Sequence, residues 1–157
     1  MSLLRARLFS PAILLALLLF PALELPAAAQ GLRLRGLNGS EQLSEAELSQ
    51  GTAIVIVWAT WSPRSHDIVE KVNPIARKWG GRARVVTINF QEEASDIESF
   101  LAGKSLAVPV FLDTDGMLCR KYAIATLPGL LILKDGQVAY RGKLPDDPDA
   151  VISRLLG

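Results

Sequence analysis

The chain is poor in the residues that build metal and redox centres: one cysteine and one histidine stand among 157 residues. A single thiol excludes an intramolecular disulfide, and one histidine beside it cannot complete a Cys/His zinc cage. A surplus of charge is missing as well. The 17 basic and 16 acidic residues leave a formal net charge of +1, which gives no basic footprint for nucleic acid or acidic lipid. The apolar run Pro11 to Pro21 (PAILLALLLFP) falls short of the roughly 20 residues a membrane span needs, and Glu24 and Pro26 soon follow it. No internal repeat and no linker divides the chain. With 50% hydrophobic and 21% charged residues, it has the composition and length of one folded domain, not of a disordered tail or a collagen-like repeat.

The first thirty residues read as an address. Arg5 and Arg7 precede the apolar run, and Ala27-Ala28-Ala29 supply a small-residue cleavage site before Gln30. Together they describe a secretory signal peptide over residues 1–29. Its removal takes two basic residues and one acidic residue, leaving 15 of each over residues 30–157 and a net charge of zero. No cysteine lies near the cleavage point to carry a lipid, so the mature chain keeps no stable membrane anchor. The expectation is an exported domain, periplasmic or extracellular, in an oxidising space that favours disulfides. Retaining a single thiol there is a mismatch that bears on function.

Strands and helices alternate along the rest. Leu32 to Arg35 alternates apolar and polar, then meets the turn dipeptide Asn38-Gly39. Ser44, with Glu47 three residues on, makes a capping box for a short helix. Ala53 to Trp58 is a continuous run without alternation, which predicts a strand covered on both faces. A helix is predicted from Ser62 to Trp79, with Ser62 as N-cap, Pro63 at the first position and a bend at Pro74. Ile68, Val72, Ile75 and Trp79 form its apolar stripe. Further strands are expected at Arg84–Phe90 and Val108–Leu112, and helices at Ala94–Ala102 and up to Tyr122. A hairpin with an Asp135-Gly136 turn and a last helix from Asp147-Pro148 complete the pattern. This order predicts an α/β fold: a mixed sheet, parallel at its centre, with helices on both faces.

The segment Trp58-Ala59-Thr60-Trp61-Ser62-Pro63-Arg64-Ser65 closes the buried strand and opens the next helix. It resembles the active-site segment of the thioredoxin superfamily, above all its exported TlpA/ResA-like branch, where the pattern is W-A-[ST]-W-C-x-x-C. Asp113-Thr114-Asp115-Gly116, the approach Tyr122 to Pro128 and the Lys134-Asp135-Gly136 hairpin are similar too, in the same order. The resemblance covers nearly all of the mature chain and implies the thioredoxin fold with a cis peptide before Pro128. It also locates two losses. Serines occupy both cysteine positions, Ser62 and Ser65, and Ile56 stands where many thioredoxins carry a buried acidic proton carrier. Thiol–disulfide exchange runs by thiolate attack through a mixed disulfide, which a hydroxyl cannot form.

Several residues are candidates. The Ser62–Ser65 turn can hold an anion or a peptide carbonyl at a helix start, or the serines can be a cap and an ordinary first-turn residue. His66 follows Ser62 by four residues, but a hydrolase also needs an orienting acid and an oxyanion hole, so an exposed histidine is the simpler reading. Cys119 is either a lone reactive thiol, its pKa lowered by Arg120 and Lys121, or a small buried hydrophobe. Leu127 and Pro128 are expected to face the serine turn and pair with an extended peptide, as the resemblance implies. Of Trp58 and Trp61, one belongs in the core and the other on an apolar patch. Arg64 can meet an acidic partner. Asn38-Gly39-Ser40 fits a glycosylation sequon as well as a turn, and Asp113 to Gly116 reads as a turn.

The expected function is a redox-inactive binding module for an extended peptide or exported protein, using Trp61, Ser62, Pro63, Arg64, Ser65, Leu127 and Pro128. No cofactor, metal or nucleic acid is implied. The alternative is a thiol-disulfide oxidoreductase, working through Cys119 alone or as its family does if the serines replace native cysteines.

Overall fold

A computed structural model describes residues 31–157; the expected signal peptide lies outside the described residues. Seven strands form one sheet in the order β2-β1-β5-β4-β3-β6-β7. They are β1 Arg33–Gly36, β2 Gln42–Ser44, β3 Thr52–Trp58, β4 Arg84–Phe90, β5 Val110–Asp113, β6 Gly129–Lys134 and β7 Gln137–Lys143. The helices are α1 Glu45–Leu48, α2 Ile68–Trp79, α3 Ala94–Leu101, α4 Met117–Lys121 and α5 Pro148–Leu156. Strands β3, β4 and β5 run parallel, while β6 and β7 add antiparallel to one side and β1 and β2 to the other.

The continuous apolar run of β3 has its expected cause. Ile54, Ile56 and Trp58 point into one core with Ile68, Val72 and Ile75 of α2, Ile97 of α3 and Ile152 of α5. Ala53, Val55 and Val57 point into the other, against Leu48 of α1, Leu118 of α4 and Tyr122 just after it. Helices therefore cover both faces. Each fully buried Ile or Val side chain contributes about 1.5–3 kcal/mol relative to an exposed one, so β3 anchors both halves of the molecule.

Local signals hold in detail. Ser44 accepts from the Glu47 N–H and the Glu47 carboxylate accepts from the Ser44 N–H, completing the capping box. Asp135 and Gly136 both adopt positive φ, 46° and 78°, as a tight hairpin turn requires. The segment 62–79 differs from the single predicted helix. Pro63–Ser65 is a turn of 3-10 helix, and α2 begins only at Ile68. Ser62 does not cap it, because its hydroxyl is used elsewhere. The short β2 pairs with β1 and was not foreseen; three residues leave no periodicity to read. Strand β5 starts at Val110, after Pro109, whose ring nitrogen has no hydrogen to give a ladder.

The far end of α2 is tied to α5. The Trp79 indole N–H donates to Asp149 Oδ1 at 2.9 Å, and Lys78 Nζ donates to Oδ2 at 2.5 Å. The Arg82 guanidinium lies 5.2 Å from the Trp79 ring centre. Lys78, then Trp79, hold the Asp149 carboxyl below its usual value. A carboxylate whose pKa is lowered on folding stabilises the fold above the ordinary aspartate range, and that contribution is lost as the pH falls through the folded value. Thermal unfolding followed from neutral pH down through that range will therefore show a shallower acid decline in Asp149→Asn than in the parent. Parallel curves would show that the pairing contributes nothing.

Candidate functional site

The C-terminal end of β3 and the start of β6 lie side by side, because Val57 pairs with Gly129. The turn that follows β3 thus faces the residues that precede β6. Two short backbone bonds fold it: Ser62 N–H donates to Ala59 O at 3.2 Å, and Ser65 N–H donates to Ser62 O at 2.9 Å. The Ser62 hydroxyl crosses to the facing loop and donates to Leu127 O at 3.1 Å. The Leu127–Pro128 peptide is cis. Pro128 is buried, and its carbonyl accepts from Leu144 N–H at 2.9 Å.

The tryptophans divide as expected. Trp58 is fully buried against Phe100, with ring centres 5.5 Å apart, whereas Trp61 is 61% exposed. Trp61 and Ser62 form one wall of a groove of about 360 Å³; Phe90, Cys119 and Ile124 to Leu127 complete it. Ala125 and Thr126 are exposed along it, and their backbone groups make no hydrogen bond among the described residues. Pro63 and Arg64 are on the surface beside the turn. Ser65 is fully buried and its hydroxyl has no partner. Ile56, at the position the resemblance gives to a buried acid, packs in the apolar core.

His66 does not pair with Ser62. Its Nδ1 lies 2.7 Å from Pro63 O, so that nitrogen donates to a carbonyl and cannot serve Ser62 as a base. Of the two readings left open for Cys119, the structure shows the buried one, and its cationic neighbours are engaged with other groups. Lys121 Nζ binds Glu45 Oε1 at 2.5 Å, and Arg120 Nη1 binds Asp115 O at 2.6 Å. Burial, then the neighbouring Asp113 carboxylate, pushes the Cys119 thiol up from 9.0 to about 12. Asp113 is also more than part of a turn. Fully buried, it accepts from Leu118 N–H and Cys119 N–H, both at 3.0 Å, and so caps α4 from inside. The reading of residue types missed two further residues beside the turn, Glu92 and Asn89. Neither belongs to a motif, and only the fold places them there.

No family model matches the chain. Among solved structures, a thiol:disulfide interchange protein of the thioredoxin family from Chlorobium tepidum superposes with a TM-score of 0.65 at 21% identity, covering 82% of this chain and 95% of its own. An exposed lipoprotein thioredoxin from Streptococcus pneumoniae gives 0.69 at 18% identity, covering 80% and 97%. A secreted disulfide oxidoreductase from Mycobacterium tuberculosis gives 0.66 at 18% identity, covering 80% and 95%. The chain has the thioredoxin fold. Within that fold, the Ser62–Ser65 turn and the Leu127–Pro128 loop meet as the sequence resemblance implies, with hydroxyls where the resemblance expects thiols.

The thiol is well shielded. A rise from 9.0 to about 12 lowers the thiolate fraction at mildly alkaline pH by about a thousandfold. Alkylation of Cys119 by iodoacetamide will be slower in the native protein than in the denaturant-unfolded chain by roughly a hundredfold to a thousandfold. Equal rates would show the thiol to be open and reactive.

Proposed function

We propose that this thioredoxin-fold chain is an exported module that binds an extended peptide or protein segment and does not perform thiol–disulfide exchange at its Ser62–Ser65 turn. One observation carries the reading: the exposed residues Ala125 and Thr126, whose backbone groups make no hydrogen bond among the described residues, line the same groove as the exposed Trp61 ring. Free N–H and C=O groups along an edge can take up an extended chain by strand addition, and an aromatic ring beside them supplies apolar contact area. Serines at both positions of the turn support the loss of exchange chemistry, since neither can form a mixed disulfide. Export is supported by the sequence of residues 1–29 and by similar structures described as an exposed lipoprotein and a secreted oxidoreductase.

An oxidoreductase working through Cys119 is the competing reading, and burial beside Asp113 speaks against it. The two separate cleanly by experiment. Trp61 is the exposed tryptophan, and in the ¹⁵N-labelled protein its indole N–H reports on the groove while an unlabelled partner stays silent. Titration of labelled residues 30–157 with unlabelled reduced, carboxymethylated lactalbumin will shift the Trp61 indole N–H signal. Trp61→Ala will weaken that binding about thirtyfold, the loss expected for a central aromatic anchor. Absence of any binding, or turnover of insulin disulfides that disappears in Cys119→Ser, would reverse the assignment.

The turn itself keeps a backbone that suits a short disulfide, because Ser65 N–H closes onto Ser62 O across three residues. The double variant Ser62→Cys/Ser65→Cys is therefore expected to form an intramolecular disulfide under air oxidation. It should also acquire measurable insulin reductase activity that the parent lacks. A double variant that stays fully reduced would show that the turn has lost the geometry as well as the sulfur.

A further inference from the structure

Glu92 lies in the segment between β4 and α3, behind the turn and outside the groove lining. Its carboxylate takes three donors. Oε2 accepts from Thr60 N–H at 2.7 Å and from Asn89 Nδ2 at 2.7 Å, while Oε1 accepts from the Thr60 hydroxyl. Asn89 is buried near the end of β4, where it is the register partner of Trp58. Thr60 is the residue before Trp61. One carboxylate thus joins the rigid sheet to the turn that carries Trp61 and Ser62.

The backbone around it is held in a costly conformation. Gln91 has φ 55°, in the left-handed region that non-glycine residues avoid, and its N–H donates to Asp113 O at 3.2 Å. This reversal follows Phe90, a groove residue, and lets Glu92 face back toward Thr60. Across the groove, Ala123 adopts φ 48° just before the lining residue Ile124. Strained residues thus flank both walls, and such residues gather where a site must be held in place.

We propose that Glu92 is a positioning residue for partner binding: it fixes the Thr60–Trp61 segment so that the Trp61 ring already stands where a bound peptide meets it. The inference rests on the binding reading above. A loose, exposed tryptophan would have to be ordered at the moment of binding, and prior ordering removes that loss. Chemistry also specifies the conservative variant. Glutamine keeps an oxygen for Thr60 N–H and Asn89, and its amide can donate to the Thr60 hydroxyl once that hydroxyl rotates to accept. Alanine loses all three bonds.

The test uses ¹⁵N relaxation of the Trp61 indole N–H in the free protein, together with affinity for reduced, carboxymethylated lactalbumin. Glu92→Ala will increase Trp61 mobility and weaken binding about tenfold, in line with losing hydrogen bonds to a charged acceptor. Glu92→Gln will stay within about twofold of the parent. Asn73→Ala is the control. It removes bonds to Ser105 O and Ala107 N–H, at 2.9 and 2.8 Å, outside the groove, and should lower Tm while leaving Trp61 relaxation and affinity unchanged. If Glu92→Ala fails to fold, Thr60→Val, which deletes only the hydroxyl arm, carries the same relaxation comparison. Unchanged Trp61 relaxation in Glu92→Ala, or equal loosening in Asn73→Ala, would overturn the role of Glu92 while leaving the binding reading intact. A parent chain that binds no lactalbumin would sink the binding reading, and with it any part Glu92 plays in affinity.

Discussion

The antiparallel pairing of β3 with β6 sets the geometry of the whole groove. Its register runs from Thr52↔Lys134 to Val57↔Gly129, so the end of one strand and the beginning of the other arrive together. The hydroxyl of Ser62 can then reach the carbonyl of Leu127 across a gap of 65 residues. A slip of one residue would turn Ile54, Ile56 and Trp58 to the opposite face. It would exchange the contents of two separately packed cores and pull the turn away from the loop. Register is therefore enforced by burial on both faces of β3.

The same logic explains what was legible in the sequence. Strand β3 announced itself because both faces are covered, and β4 was bounded correctly at both ends because Val85, Val86, Thr87 and Ile88 form a β-branched run. Ser44 with Glu47, and Asp135 with Gly136, were readable because their signals act over three residues or fewer. Failures occurred where a distant group took over a local role. Ser62 has the residue type of an N-cap and sits before a proline, yet its hydroxyl is claimed by Leu127, and α2 starts six residues later at Ile68. For Cys119 the residue types left two readings open: burial outweighs Arg120, which does act to lower its pKa. Asp113, six residues away in sequence, then acts in the opposite direction. Glu92 offered no signal at all, since its three donors become neighbours only once β3 and β4 are paired.

Beneath the turn lies a set of polar atoms without partners among the described residues: the Ser65 hydroxyl, the Trp58 indole N–H and Asn89 Oδ1. Each buried unsatisfied group costs about 1–3 kcal/mol, which is large beside the total stability of a small domain. Ser65 is the clearest case. Its position is fully enclosed, and a hydroxyl there needs a partner in a way that a thiol, a small hydrophobe with a weak donor, does not.

Three potentially nucleophilic atoms stand at or beneath the groove, and each is disarmed by a different cause. Ser62 Oγ–H donates its hydrogen bond to a carbonyl, which cannot act as a base. Ser65 Oγ is sealed from solvent with nothing beside it to take a proton. Cys119 is 6% exposed next to a carboxylate that disfavours a thiolate. The one imidazole in the chain is turned toward Pro63 O. Nucleophilic chemistry at any of these atoms would require reversing one of these arrangements, each enforced by burial or by a hydrogen bond. The proposed binding requires none of them to change, because Trp61, Ala125 and Thr126 are already exposed, and the backbone groups of the latter two make no hydrogen bond among the described residues.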